Sequence, residues 1–410
     1  MGFNALRLHY LLVYAVIGAY MPYLPVFLGS DLGMPDAQIG WVAGIYGLSV
    51  ILSPPLVTYL ADRRFSGRSL IGLAYAGSVV MLTGLALASD FVPVLLLSLV
   101  FSMVYTPLFA LTDGLTFTAI AATEAAGGRA PAYNGLRVWG SLGFMLPALV
   151  LFFALQTGSA TGRAAIVAAA VAAGLGALCI PLLPRLSPER REHLPGAAAW
   201  HVLRSWPTRA LVVPLGLQFA AISVFYAFYA RLVLAVGIAP AWVGLVINLG
   251  VLAELPCMFA AGALLRRFSL RSLVLCGALC LTVRMALLAA VPTPPIVVIS
   301  QVLHGPVVVA LYLIPPMYLN LKAPPGVRNG VQGLYAMLCF GVARLLGSVA
   351  AGYAAEVALA WAFALGSALA ALALAWLWLR FHDPAADAAL RGRAPAPVPS
   401  DTSLPRDATH

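Results

Sequence analysis

Long apolar runs, rich in Ala, Leu and Val, alternate along the chain with short polar connections. Twelve can be placed, near residues 6–28, 38–61, 70–89, 93–119, 134–156, 164–183, 210–235, 241–264, 272–291, 295–319, 329–354 and 358–380. At a rise of about 1.5 Å per residue, a helical run of about 20 residues crosses the hydrocarbon core of a bilayer. None shows the period of two that a membrane barrel strand requires, and a lipid-facing backbone must satisfy its own hydrogen bonds, which leaves helices. The pattern predicts an all-α membrane protein of twelve transmembrane helices. The first run contains Tyr20, Pro22 and Pro25 and lacks a short apolar core followed by a small-residue cleavage site, so it is expected to be retained as a helix.

Composition sharpens this picture. Of 410 residues, 62% are hydrophobic and 9% charged, against about 25% charged in ordinary globular chains. A soluble fold is excluded, because the apolar excess must face something other than water. The net charge of +10 does not point to nucleic acid, since the basic residues form short scattered clusters without an aromatic-interleaved stripe. They report orientation instead. Of the 24 Lys and Arg residues, 19 fall in the N-terminal segment, the loops on the same side, or the C-terminal tail. Arg7 and Arg380, at the cytoplasmic ends of the first and last runs, are counted among these; four others (Arg137, Arg231, Arg284, Arg344) lie within runs, and Arg163 alone lies in a loop on the other side. The positive-inside rule then predicts both termini in the cytoplasm. Cys179, Cys257, Cys276, Cys280 and Cys339 sit inside apolar runs without ligand spacing, so buried thiols are expected, with no disulfide and no metal site. No phosphate-binding loop, nucleophile elbow or cofactor motif occurs. The chain is expected to be no enzyme, to need no cofactor, and to draw on an ion or solute gradient.

The longest inter-helix connection, residues 184–209, divides the chain into six-helix halves at 1–183 and 210–381, with a cytoplasmic central loop between them. The tail, 382–410, is rich in Pro, Ala and Asp and is predicted to be disordered. An internal repeat supports the division. Arg63-Arg64-Phe65-Ser66-Gly67-Arg68-Ser69-Leu70 and Arg266-Arg267-Phe268-Ser269-Leu270-Arg271-Ser272-Leu273 agree at seven of eight positions, offset by 203 residues. Parallel halves related by an axis along the membrane normal follow from such an offset.

Each charge at mid-membrane costs roughly 2.5–3.5 kcal/mol on insertion scales, so it must find a partner or line a watery cavity. Asp113 in the fourth run and Arg137 in the fifth lie at comparable depth. They can pair, either as a solute site or as a lock between helices. Glu254, Arg284 and His304 lie in the eighth to tenth runs, where a carboxylate or an imidazole can exchange a proton once a counter-charge moves. Arg344, midway along the eleventh run, can hold an anionic headgroup or pair with Glu254. Arg231 lies near the end of the seventh run, where its stem can snorkel to the headgroups. Tyr226 and Tyr229, three apart and so on one helix face, and Trp139 can supply aromatic contacts for a solute, or packing alone.

Leu60-Ala61-Asp62-Arg63 through Gly67-Arg68 resembles the loop motif of the major facilitator superfamily between its second and third helices, though Thr58 stands where that motif has Gly. Tyr133-Asn134-Gly135-Leu136-Arg137-Val138-Trp139-Gly140-Ser141-Leu142-Gly143-Phe144, Gly250-Val251-Leu252-Ala253-Glu254, Gln301-Val302-Leu303-His304 and Gln332-Gly333-Leu334-Tyr335 resemble the phenylpropionate permease group, related to lactose permease-type proton symporters. The resemblance implies a carrier of a bacterial-type inner membrane that moves a small organic solute with a proton by alternating access, an aromatic carboxylate such as 3-phenylpropionate being the expected cargo. It implies that Asp113 and Arg137 bind solute and that Glu254, Arg284 and His304 form the coupling region, with Val307 replacing a second carboxylate of that pattern. Asp62, Arg63, Arg68 and the repeat residues Arg266, Arg267 and Arg271 are expected to act as a conformational latch. Gly140, Gly143 and Pro147 do not reproduce the antiporter motif of helix five, which favours uptake. A sugar or nucleoside symporter, an efflux carrier and a non-transporting receptor stand as alternatives, and a monomer is expected.

Overall fold

The computed structural model describes residues 3–62, 67–156, 162–184 and 196–391, apart from the side chains of 54–62 and 325. Twelve long helices run through it: α1 (Phe3–Asp31), α2 (Asp36–Asp62), α3 (Gly67–Leu87), α4 (Phe91–Ala125), α5 (Tyr133–Gln156), α6 (Gly162–Leu182), α7 (Trp206–Ala235), α8 (Pro240–Arg267), α9 (Leu270–Ala290), α10 (Pro294–Lys322), α11 (Arg328–Val357) and α12 (Leu359–Arg380). Each coincides with one predicted run to within a few residues, the helices running on into polar ends such as Asp31 and Asp36. No strand occurs among the described residues. Large apolar side chains point outward, Phe259 at 80% exposure and Val357 at 77%, and form a surface that only lipid would cover.

The 203-residue offset recurs in the structure, where it separates the starts of α1 and α7, of α3 and α9, and of α4 and α10. Two pseudo-symmetric six-helix halves result. They meet along two seams, α2 against α11 and α5 against α8. At the first seam a Cβ on Gly40 would stand 2.6 Å from the Ser348 carbonyl oxygen, and one on Gly47 would stand 2.4 Å from that of Gly341. Only residues without a side chain let the two backbones approach this closely.

Several helices are interrupted where their chemistry demands it. Pro107 has no N–H to donate, and Thr106 turns its hydroxyl onto the Ser102 carbonyl at 2.6 Å, so α4 breaks at this point. Wide π-type turns occupy Val309–Leu313 in α10 and Met337–Ala343 in α11. The second ends immediately before Arg344 and resets the phase of the helix there, so it decides which way that side chain faces.

Two stretches differ from their sequence reading. The central connection contains a short helix, Gly196–Arg204, whose Ala199 and Leu203 are buried one turn apart, and α7 begins earlier than the apolar run. The start of the tail, predicted disordered, forms the helix Pro384–Leu390. Composition fails there because a few polar contacts add to the small apolar burial of Ala386 and Leu390 in holding it. Asp383 takes Lys322 at 2.6 Å, the Tyr318 hydroxyl at 2.8 Å and the Ala386 N–H at 3.1 Å. Asp387 accepts the Leu270 N–H at 2.6 Å, at the start of α9.

Candidate functional site

In the first half, α1, α4 and α5 bring tyrosines around the predicted charges. Asp113 Oδ1 accepts the hydroxyls of Tyr10 at 2.7 Å and Tyr133 at 3.0 Å. The expected ion pair with Arg137 is not formed. Instead the Arg137 guanidinium lies over the Tyr14 ring, 4.2 Å from its centroid. Tyr10 and Tyr14, four residues apart, project from one face of α1, so that one tyrosine engages the anion and the next the cation. Beside them the buried His9 bridges Thr112 at 3.0 Å and Tyr75 at 3.2 Å. Trp139 is half-buried and makes no hydrogen bond or ring contact among the described residues. Two residues beyond Arg137, it lies on a different face of α5.

The second half builds a polar chain across α8, α9 and α10. Glu254 Oε1 lies 3.0 Å from His304 Nε2, and its side chain is 22% exposed. His304 Nδ1 lies 2.8 Å from Arg284 Nη1, and Arg284 Nη2 donates to Gln301 Oε1 at 2.6 Å. Arginine only donates, so His304 Nδ1 must accept. The imidazole proton then sits on Nε2 and is donated to Glu254. Arg284 itself is fully buried, 4.0 Å from the Phe225 centroid. The three residues singled out in the sequence are thus brought together, and Gln301 joins them as the acceptor that buried Arg284 requires.

Tyr226 and Tyr229 part company despite their spacing. Tyr229 is buried and gives its hydroxyl to the Val297 carbonyl at 2.8 Å, so it serves packing. The Tyr226 hydroxyl meets that of Tyr312 at 3.3 Å. Arg344 is not the partner of Glu254, because His304 holds that place. Its guanidinium lies over rings from both halves, 4.2 Å from the Tyr46 centroid and 5.2 Å from that of Tyr226. No carboxylate lies within ion-pair distance of it among the described residues, and its Nε is buried without an acceptor.

Arg231 does not reach for headgroups either. It forms an ion pair with Asp36 at the start of α2. A charge near a helix end has two outlets, solvent or a counter-charge, and α2 supplies the second. Every hydrogen bond and ion pair that joins the two halves, among the described residues, lies toward this end of the bundle, opposite the N-terminus. Besides Asp36–Arg231 these are Ala37 N–H to Glu356 at 3.3 Å, Trp41 to Tyr353 at 3.4 Å, Gly244 N–H to Tyr23 at 3.2 Å and Asn248 to the Met145 carbonyl at 3.1 Å. Of the latch residues, the Asp62 side chain and Arg63 lie outside the described residues. Among the described residues, Arg68, Arg266 and Arg267 make no hydrogen bond or ion pair with the other half, and Arg271 donates to the Trp378 carbonyl within its own half. Among the described residues no cluster of three His, Cys, Asp or Glu side chains is arranged to hold a metal.

What reasoning from the sequence missed are the tyrosines that receive the charges: Tyr10, Tyr14, Tyr46 and Tyr133. The four-residue spacing of Tyr10 and Tyr14 was the available signal.

The MFS_1 like family matches residues 3–365. The maltose permease of Geobacillus stearothermophilus is 27% identical over 356 residues, covering 85% of this chain and 86% of the relative. The probable 3-phenylpropionic acid transporter of Escherichia coli (strain K12) is 25% identical over 364 residues, covering 85% and 90%. Among solved structures, a variant of the nucleoside transporter NupG superposes with a TM-score of 0.83 at 17% identity, over 93% of this chain and 100% of that one.

Proposed function

The chain belongs to the MFS_1 like family, and from that premise we propose that it carries a small organic solute into the cell together with a proton. It is a multi-pass membrane protein and a secondary transporter, not an enzyme. The observation that carries proton coupling is the chain Glu254–His304–Arg284. With Nδ1 occupied by Arg284 and Nε2 protonated, His304 is neutral and has no free lone pair. A travelling proton must therefore go to the partly exposed Glu254 carboxylate, with His304 and Arg284 holding it in place. Protonation removes the carboxylate's charge and loosens its hold on the His304 N–H, which changes the balance of forces inside the second half.

With both termini cytoplasmic, as the arginine distribution indicates, the cross-half contacts lie on the outer side, the arrangement of a carrier that is closed there. The division at residues 184–209, the six latch residues and a monomeric state belong to the same reading. The cargo we favour is an aromatic carboxylate such as 3-phenylpropionate, supported by the uncompensated guanidiniums of Arg137 and Arg344 and the tyrosines around them. A neutral sugar or nucleoside is the second reading, supported by Asp113 with Tyr10, Tyr133 and Arg137 nearby, a set suited to solute hydroxyls.

The test is accumulation in proteoliposomes under an imposed pH gradient, acid inside neutral outside being compared with its reverse and with none. Uphill uptake of 3-phenylpropionate, maltose or a nucleoside only when the outside is acidic is the expected result. Exchange without gradient-driven accumulation would remove the proton, and binding without exchange would make the protein a receptor.

A further inference from the structure

We propose that Arg344 is the anchor for the solute's carboxylate, and that the solute is a monocarboxylate whose apolar body lies against Tyr226, Tyr312 and Phe340. The proposal rests on the organic-acid reading above and assigns its binding determinant. A guanidinium laid flat on an aromatic ring keeps its N–H edge free, and that edge matches the two oxygens of a carboxylate. Arg344 meets two rings, its guanidinium lying over Tyr46 at 4.2 Å and over Tyr226 at 5.2 Å from the ring centroids. Its Nε is buried with no acceptor, a state that an incoming carboxylate relieves.

The other charges of the site are already engaged. Arg284 is committed to His304 and Gln301, and Asp113 to two tyrosine hydroxyls. Arg137 is also free of an ion pair, but it shares Tyr14 and Tyr133 with the negative charge of Asp113, which opposes a second carboxylate there. The carboxylate of this half, Glu254, lies on the other side of the Phe225–Tyr226 ring pair, against His304. That is the group that takes up the travelling proton, so the proton that is carried also removes a negative charge from the anion's surroundings. The apolar wall is in place, since Tyr312 lies 5.4 Å from Phe340, and Phe340 lies 4.5 Å from Phe219, between ring centroids. Because Tyr46 and Tyr226 belong to different halves, the seat exists whole only while the halves hold their present relation.

The experiment measures binding of 3-phenylpropionate and of its neutral amide to the purified full chain by calorimetry. Wild type is expected to prefer the acid by roughly 10- to 100-fold, the worth of a charge-assisted contact. In Arg344→Gln the acid should fall to the level of the amide while amide binding persists, which also certifies the fold. Arg344→Lys keeps a charge without the fork and should retain only part of the preference, and it decides the matter if the Gln variant does not fold. Persistence of the full acid preference in both variants, or its loss only in Arg137→Gln, overturns the proposal and leaves the organic-acid reading standing. A wild type that binds the acid no better than the amide overturns both.

Discussion

Glu254 is the one carboxylate of the second half that both touches the relay and reaches open space, through a side chain 22% exposed beside a buried imidazole. In Glu254→Gln the His304 N–H still finds an oxygen, so the site should keep its shape while losing the proton. Solute counterflow should then survive in proteoliposomes, whereas accumulation under a pH gradient should drop to equilibration. Normal accumulation in this variant would take the proton elsewhere. A second change probes the far end of the chain. Gln301→Leu strips Arg284 Nη2 of its acceptor inside the bundle, and a loss of about 1–3 kcal/mol in stability should follow, read as a lowered thermal midpoint. The charged members of this site were legible because a charge within an apolar run stands out at once. Tyr14 and Tyr46 were not, since a tyrosine in a membrane helix reads equally as packing, and only the fold shows that a cation lies on each ring.

At the scale of elements, apolar length carried nearly all the information: twelve runs became twelve helices because lipid leaves the backbone no other partner. The readings that failed concern elements held by something else. The helix Pro384–Leu390 stands on Asp383 and Asp387, which fasten it to the ends of α10 and α9. Burial alone would push the Asp383 carboxyl up, but hydrogen bonds from Lys322, the Ala386 N–H and Tyr318 hold it below the usual carboxylate range. A carboxyl depressed in the folded state contributes fully above its unfolded pKa, about 3.9, and loses that contribution as pH falls through the folded value. Asp383→Asn should therefore lower the thermal midpoint at pH 7, and the gap to wild type should close as pH is brought below 4. An equal gap at both pH values would show that shape rather than charge is what the tail helix needs.

At the scale of the whole molecule, the ion pair of Asp36 with Arg231 ties α2 of one half to α7 of the other at the end opposite the N-terminus. Asp36→Asn should release it and raise the population open at that end. Single cysteines placed in the two vestibules report the change: labelling from the outer side should rise and labelling from the inner side fall. Equal labelling before and after would mean that the neighbouring contacts of Glu356, Tyr353 and Asn248 suffice to keep the end shut. The two seams that these contacts flank are unlike in texture. Where α8 meets α5 and the neighbouring α1, Asn248 and Tyr23 peg the surfaces together by hydrogen bonds to backbone groups. Where α2 meets α11, Gly40 and Gly47 press bare backbone against the Ser348 and Gly341 carbonyls, and the hydrogen bonds of this seam, from Trp41 to Tyr353 and from the Ala37 N–H to Glu356, are confined to its outer end. In mechanical terms the first seam is a catch and the second a plain bearing, a journal turning in its sleeve. A bearing tolerates rotation but not grit, so one methyl group at Gly40 should seize or spread the joint while leaving every charged residue where it stands.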